Sequence, residues 1–231
     1  MIKNFLLSFL CLLIFSASSQ AQECMGMTLK AGSGFDMDSF DGKGKPSGKM
    51  TYRIASVTKE GSNSIITIDF ESFNTKGKSE LKNTYKMRCD GNSLTLDASS
   101  LISQEQLKSF ENFQMKFTSE DIVYPVKYAV GQKLKDASLK GEGASGPLKI
   151  TLNMLISNRQ IESQEKLTIP AGSFDAYKIT ADMLMETKMG LGVKMDMHTI
   201  SYRTPGILWD LKTETYRKGK LIATTELTKI Y

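Results

Sequence analysis

The sequence predicts an all-β fold in which mainly antiparallel hairpins build a single curved sheet or half-barrel. Apolar and polar residues alternate with a period of two from Ile66 to Glu71 and again from Ile150 to Ser157. This alternation is typical of antiparallel strands that bury one face. Glycine-containing turn signals punctuate the alternating runs at residues 42–44, 61–63, 90–92 and 218–220.

The N-terminal segment has the anatomy of a secretory signal peptide. Lys3 precedes an apolar run from Phe5 to Phe15, and Ser19-Gln20-Ala21 is a small-x-small cleavage site. The apolar run is shorter than the roughly 20 residues that a membrane span needs. We therefore expect cleavage after residues 1–21, a periplasmic or secreted location, and no integral membrane span.

Residues 22–231 are long enough for one large β domain. No Pro/Ser-rich linker divides them, and such linkers are where domain boundaries fall. We therefore expect a single β-rich domain. The alternative is two related β halves that meet near residues 115–145.

The charge pattern bears on which partners are expected. The chain has a formal net charge of +5, and its basic residues are spread along the sequence rather than massed with aromatic residues. Nucleic acid is therefore not expected as a partner, because it calls for a clustered basic stripe. A weak attraction to an anionic membrane surface stays open.

Two cysteines remain beyond the signal peptide, Cys24 and Cys89. In an oxidising compartment an even pair predicts one disulfide, which would tie the start of the mature chain to an early strand. Lipidation of Cys24 is the alternative. It is disfavoured because Glu23 stands where a lipid-attachment motif needs a small residue.

Two Lys-Gly-Lys turns stand in matching surroundings at a spacing of 33 residues. Phe40, Lys43-Gly44-Lys45 and Thr51-Tyr52 reappear as Phe73, Lys76-Gly77-Lys78 and Thr84-Tyr85. Two copies are fewer than the three or more that a solenoid needs. We interpret them as a repeated hairpin within one sheet.

One main helix is predicted among the strands, with Ser99 or Ser100 as its N-cap. Its apolar residues fall near a period of 3.6 and are Leu101, Ile102, Leu107, Phe110 and Phe113. We expect this helix to pack on one face of the sheet.

The segment from Tyr177 to Met197 predicts a hairpin with methionines on one face. Its turn is Gly190-Leu191-Gly192, and if Met189 pairs with Val193, then Met185 lies opposite Met197. Together with the strand that begins near residue 150, this hairpin supplies the candidate ligand-binding residues. They are Met183, Met185, Met195, Met197, Ile150, Leu152 and Met154.

Three interpretations of this methionine-rich surface stay open. Flexible, polarisable methionine suits an adaptable binding surface for acyl chains, its thioethers bind Cu(I), and an apolar stripe can simply fill the core. Copper is disfavoured because His198 adjoins Met197, so strand alternation points it to the opposite face. We therefore expect no metal and no other cofactor.

The sequence does not predict an enzyme. His198 is the single histidine, and no Gly-x-Ser-x-Gly elbow accompanies it. The scarcity of His and Cys also disfavours zinc. Asp36, Asp38 and Asp41 do not form an EF-hand, because Phe40 occupies the fifth position of that template.

Two stretches in the second half carry a family resemblance. Residues 168–179 (TIPAGSFDAYKI) are similar to a VPAG-x-F-x-x-Y-K signature, and residues 202–207 (YRTPGI) to a WYAPGVG stretch, of the DUF3108-like (TapB-like) exported proteins. The resemblance implies an exported antiparallel β protein without catalytic residues, with a curved sheet similar to the half-barrels of LolA/LolB-like periplasmic carriers. The sequence departs from the pattern at Arg203-Thr204 and at Leu208.

Two functions are consistent with these features. The first is a periplasmic binding protein that holds a lipid or another apolar ligand on the concave face of the sheet. The second is an envelope structural or protein-interaction module with a packed core, whose edge strands meet a partner. An empty apolar cavity would favour the first, and Trp209 would report ligand entry if it lined that cavity.

Overall fold

The computed structural model describes residues 22–231, so the predicted signal peptide lies outside the described residues. Strands dominate this part of the chain. They are β1 (Gln22–Cys24), β2 (Met27–Leu29), β3 (Gly34–Asp41), β4 (Pro46–Glu60), β5 (Asn63–Asn74), β6 (Ser79–Cys89), β7 (Ser93–Leu96), β8 (Lys116–Glu120), β9 (Ile122–Pro125), β10 (Ala137–Ser145), β11 (Leu148–Ile169), β12 (Gly172–Met189), β13 (Leu191–Arg203), β14 (Lys212–Arg217) and β15 (Lys220–Ile230).

Thirteen of these strands form one sheet in the order β8-β10-β11-β12-β13-β14-β15-β3-β4-β5-β6-β7-β9. Every neighbouring pair is antiparallel, which confirms the predicted all-β, antiparallel class. Strands from before residue 115 and after residue 145 share this sheet. Its two end strands, β8 and β9, are separated by Asp121 alone. The sheet therefore curves round into a nearly closed barrel, while β1 and β2 form a separate ribbon.

The predicted main helix is wrong. The segment contains a 3-10 turn at Ala98–Leu101, a short α-helix, α1, at Gln104–Ser109, and a second 3-10 turn at Glu111–Phe113. Two successive N-caps break it, because Asp97 caps the first turn and Ser103 restarts the helix with a capping box. A residue that caps a helix has extended backbone angles and cannot continue an earlier helix.

The barrel interior is filled with aromatic side chains around Trp209. Its ring centroid lies 4.7 Å from that of Tyr52, 5.5 Å from that of Tyr85 and 6.0 Å from that of Phe35. Such pairs stabilise a fold by about 0.5–1.5 kcal/mol each beyond the area they bury. Trp209 is therefore part of a packed aromatic core.

The two Lys-Gly-Lys turns at a spacing of 33 residues are confirmed as a repeated hairpin. The Asp41 Oδ1 atom accepts hydrogen bonds from the backbone amides of Lys43 and Lys45, at 2.8 and 3.0 Å. The Asn74 Oδ1 atom accepts the equivalent pair from Lys76 and Lys78, at 3.0 and 3.1 Å. Side chains of this type hold tight turns by mimicking backbone acceptors.

The disulfide between Cys24 and Cys89 forms as predicted. It attaches the ribbon of β1 and β2 to the end of β6. Both cysteines are buried, together with Met27 and Leu29 from the ribbon. The bond therefore fixes a small apolar layer onto the barrel.

Replacing Gly48 by alanine is expected to destabilise the sheet by about 2 kcal/mol, the cost of overpacking a rigid site. A Cβ atom at this position would lie 2.3 Å from the carbonyl oxygen of Phe73 in the neighbouring strand. Backbone atoms of a paired strand cannot rotate away as a flexible side chain can. The alanine must therefore displace one strand of the hydrogen-bonded pair. Urea unfolding measures the change. Gly192→Ala is the control, because its Cβ would approach the flexible Lys188 side chain at 3.3 Å; equal losses in both variants would contradict the prediction.

Candidate ligand-binding face

The structure places all seven predicted binding residues on one face of β11, β12 and β13. Directly paired residues share a face of a sheet, and one row pairs Met154 with Met185 and Met185 with Met195. The next row contains Met183 and Met197, which pair directly. Ile150 and Leu152 continue the same face of β11 by alternation. We call these seven residues the methionine face.

The predicted register of the hairpin is wrong by two residues. Met183, not Met185, pairs with Met197, and Met189 pairs with Leu191. The chain reverses at Gly190 alone, which adopts a positive φ of 75°, whereas the prediction used a three-residue turn. A slip of two residues keeps every side chain on its face, whereas a slip of one would have reversed them all.

One side of the methionine face is covered. Gly141 in β10 pairs with Leu152 on one side and Phe117 on the other, and a Cβ on Gly141 would lie 2.6 Å from the Phe117 ring. A Cβ on Gly143 would meet the Met115 sulfur at the same distance. Glycines thus make room for Phe117 and Met115 to lie over β10, and Ile150 is buried there.

The other side of the methionine face is open. The five methionines are half-buried, and beyond them the tips of the hairpins carry exposed apolar residues. Val193 is 62% exposed, Met189 49% and Leu148 48%. A mostly apolar surface, with Thr187 between Leu152 and Val193 as a polar position, therefore runs from a covered side at β10 to solvent at the hairpin tips.

A buried cationic cluster lies beyond the methionine face, toward the seam of the barrel, where the two ends of the sheet meet. Ser157 pairs with Asp182 and Gln160 with Thr180, so Asn158 and Arg159 together face one residue of β12. This β-bulge re-aims Arg159 into the interior, where it is 3% exposed. Its Nη1 atom donates to the carbonyl oxygens of Lys135 at 2.6 Å and Val123 at 3.2 Å, so it bridges the two sides of the seam.

Arg203 completes this cluster from β13 and is 5% exposed. Its Nη1 atom donates to Asp210 Oδ1 at 2.6 Å, and its Nη2 atom donates to the Leu208 carbonyl at 2.9 Å. The guanidinium carbons of Arg203 and Arg159 lie 4.0 and 4.9 Å from the centroid of the Tyr124 ring. We call Arg159, Arg203, Asp210 and Tyr124 the arginine cluster.

The arginine cluster keeps its charge in the interior. Burial acts to lower the pKa of Arg203, but Asp210 and the nearby tyrosines hold that pKa above its usual range. Within residues 22–231, Nη2 of Arg159 and Nε of Arg203 are buried without a hydrogen-bond partner. Cation–π contact with Tyr124 offsets part of that cost.

The opposite face of the same strands carries polar chemistry. His198 Nδ1 lies 2.8 Å from Asp182 Oδ1, and Asn158 donates to the other Asp182 oxygen at 2.8 Å. The hydrogen bond from His198 lowers the pKa of Asp182 below its ordinary value. Asp182 and His198 line a groove of about 590 Å³ together with Tyr216.

This groove does not have the geometry of a nucleophile triad. Asp182 pairs with Ser157 on one side and with His198 on the other. The carboxylate therefore separates the hydroxyl from the imidazole, whereas a triad needs the imidazole against the hydroxyl. Across residues 22–231, no three His, Cys, Asp or Glu side chains are placed to hold a metal ion. None of the helices in that range has the length and apolar character to cross a membrane.

Comparison with known proteins identifies the family and the fold. Two crystal structures resemble the chain. A predicted lipoprotein from Parabacteroides distasonis has a TM-score of 0.68 and 23% identity, over 91% of this chain and all of the other. A predicted exported protein with a YmcC-like fold from Bacteroides fragilis has a TM-score of 0.63 and 16% identity, over 87% of this chain and 96% of the other. No curated protein matches the sequence. The DUF3108-like family model matches residues 30–227, and the chain belongs to that family.

Proposed function

We propose that this protein is an exported, non-enzymatic binding protein that holds an apolar ligand, such as an acyl chain, against the methionine face. The observation that carries the proposal is the mostly apolar surface, covered at β10 and open at the hairpin tips. Half-buried methionines suit such a ligand because their unbranched side chains adapt to its shape. Binding sites for apolar ligands are mostly lined in this way.

Export is supported from two directions. Residues 1–21 have the composition of a signal peptide, and both similar crystal structures are described as exported or lipoprotein. In this chain the cysteine nearest the predicted cleavage site, Cys24, is bonded to Cys89. That bond favours a soluble exported form over a lipid anchor at Cys24.

A second candidate is an envelope protein-interaction module without a small ligand. The aromatic packing around Trp209 favours it, because that part of the interior is filled. The two candidates differ in what purified protein carries. Native mass spectrometry followed by lipid extraction would show a bound acyl compound for the binding protein, and an unliganded mass for the interaction module.

Replacing Met185 and Met195 together by glutamine is expected to weaken binding of an apolar ligand about tenfold. Glutamine has nearly the same shape, so the change puts two polar groups into one row of the methionine face. A tenfold loss corresponds to about 1.4 kcal/mol. Titration with the uncharged fluorescent probe N-phenyl-1-naphthylamine, and its displacement by oleic acid, measures the affinity.

Leu184→Gln is the matched control. Leu184 is half-buried in the same strand and points to the opposite face, so its replacement should change the affinity less than about twofold. Equal losses in Leu184→Gln and the double variant would place the probe elsewhere. Absence of binding to the unaltered protein would refute the proposed function.

A further inference from the structure

Three Lys-Gly-Lys turns lie at the same end of the barrel. The turns join β3 to β4, β5 to β6, and β14 to β15. These hairpins are consecutive in the sheet order β14-β15-β3-β4-β5-β6, and their strands are antiparallel throughout. Adjacent turns are therefore two strands apart, or about 10 Å. We call the six lysines of these turns the lysine rim; they are Lys43, Lys45, Lys76, Lys78, Lys218 and Lys220.

The lysine rim carries free positive charge. All six side chains are exposed, and none takes part in an ion pair found among residues 22–231. Asp41 accepts the amides of Lys43 and Lys45 and offsets part of the positive charge at that turn. The other two turns, residues 74–78 and 217–220, contain no acidic residue. The sequence shows two of these turns as a repeat, and the topology adds the third beside them.

The same end of the sheet also presents apolar side chains. The β10–β11 and β12–β13 turns lie at this end, because the strands alternate in direction. They carry the exposed residues Leu148, Met189 and Val193. Exposed Lys149 and Lys188 accompany them in the adjacent sequence positions. Lysines beside exposed apolar residues are the pattern of surfaces that bind anionic lipid interfaces.

We propose that the lysine rim, with Leu148, Met189 and Val193, docks on an anionic membrane surface. The lysines supply long-range attraction to lipid phosphates, and the apolar tips enter the interface. Nucleic acid is a poorer occupant, because the turn segments 41–45, 74–78 and 217–220 contain no aromatic side chain on which bases could stack, and Phe40, Phe73 and Tyr216 of the adjoining strands are half-buried. The docked orientation turns the open side of the methionine face toward the bilayer. Docking does not require a ligand on that face, so it stands apart from the proposed function.

Vesicle flotation tests the proposal. The unaltered protein should float with vesicles of phosphatidylcholine and phosphatidylglycerol at low salt, and bind pure phosphatidylcholine about tenfold less. High salt should weaken binding to the anionic vesicles, because it screens exposed charges. The variant Lys43→Glu/Lys76→Glu/Lys218→Glu should lose at least about tenfold in the partition coefficient.

The matched control makes the same charge change elsewhere. Lys30, Lys59 and Lys166 are exposed near the opposite end of the sheet, so their replacement by glutamate should alter partitioning less than about threefold. Equal losses in the two triple variants would show that net charge, and not the position of the lysines, determines partitioning. That result would overturn the proposal. So would equal partitioning into neutral and anionic vesicles, or no flotation at all. Probe binding measured in vesicle-free solution reports the methionine face separately, so either result can fail alone.

Discussion

Replacing Arg203 by methionine is expected to lower the free energy of unfolding by about 4 kcal/mol, the usual cost of removing one partner of a buried ion pair. Methionine keeps most of the side-chain volume but leaves the Asp210 carboxylate without the guanidinium that lies 2.6 Å from it. It also removes the contact with the Tyr124 ring. Urea unfolding at neutral pH, followed by the fluorescence of Trp209, measures the loss.

Two further variants show whether the loss comes from the stranded carboxylate. Arg203→Met/Asp210→Asn should recover about half of the stability, because the buried charge is gone. Arg217→Met, at an exposed position of β14, should change stability by less than about 0.5 kcal/mol. If the double variant were as unstable as Arg203→Met, packing rather than charge would be the reason.

The second large effect is expected from the disulfide. The bond between Cys24 and Cys89 closes a loop with a sequence separation of 65 residues, and the chain-entropy model gives such a closure about 4 kcal/mol. The double variant Cys24→Ser/Cys89→Ser should lose about that much stability in urea. The loss arises mainly because the unfolded chain regains freedom.

Reductant separates this entropic effect from local packing. Dithiothreitol should lower the stability of the unaltered protein to that of the double variant and leave the double variant unchanged. The Cys24→Ser variant should match the double variant, because one serine already prevents the bond. A variant as stable as the oxidised protein would contradict the prediction.

The fold class and the methionine face could be predicted because both depend on a period of two. Alternation decides which residues share a face, and it does so before any pairing is known. The face formed by Met183, Met185, Met195 and Met197 therefore survived a wrong register, since the error was an even number of residues. Turn chemistry was equally local, as the matched turns at Asp41 and Asn74 show.

The remaining features depended on interactions that no local pattern reveals. The helix prediction failed because periodicity from Leu101 to Phe113 does not show that Ser103 interrupts the helix. The arginine cluster was missed for a related reason. Simple alternation from Ile150 would place Arg159 outside the barrel, and the bulge at Asn158 brings it inside. Arg203 stood out in the sequence as a departure from the family pattern, but its partners Asp210 and Tyr124 come from other segments.

The order of the end strands restricts how this sheet can meet other proteins. β8 follows β7 in sequence but pairs with β10, whereas β9 precedes β10 but pairs with β7. At Asp121 the chain thus passes from one end strand of the sheet to the other, and this covalent connection holds the two end strands together. β8 and β9 are both short, and the chain joins them directly. Neither end strand therefore offers a long free edge with which an incoming strand could pair. The two end strands are therefore poor sites for a partner that would extend the sheet.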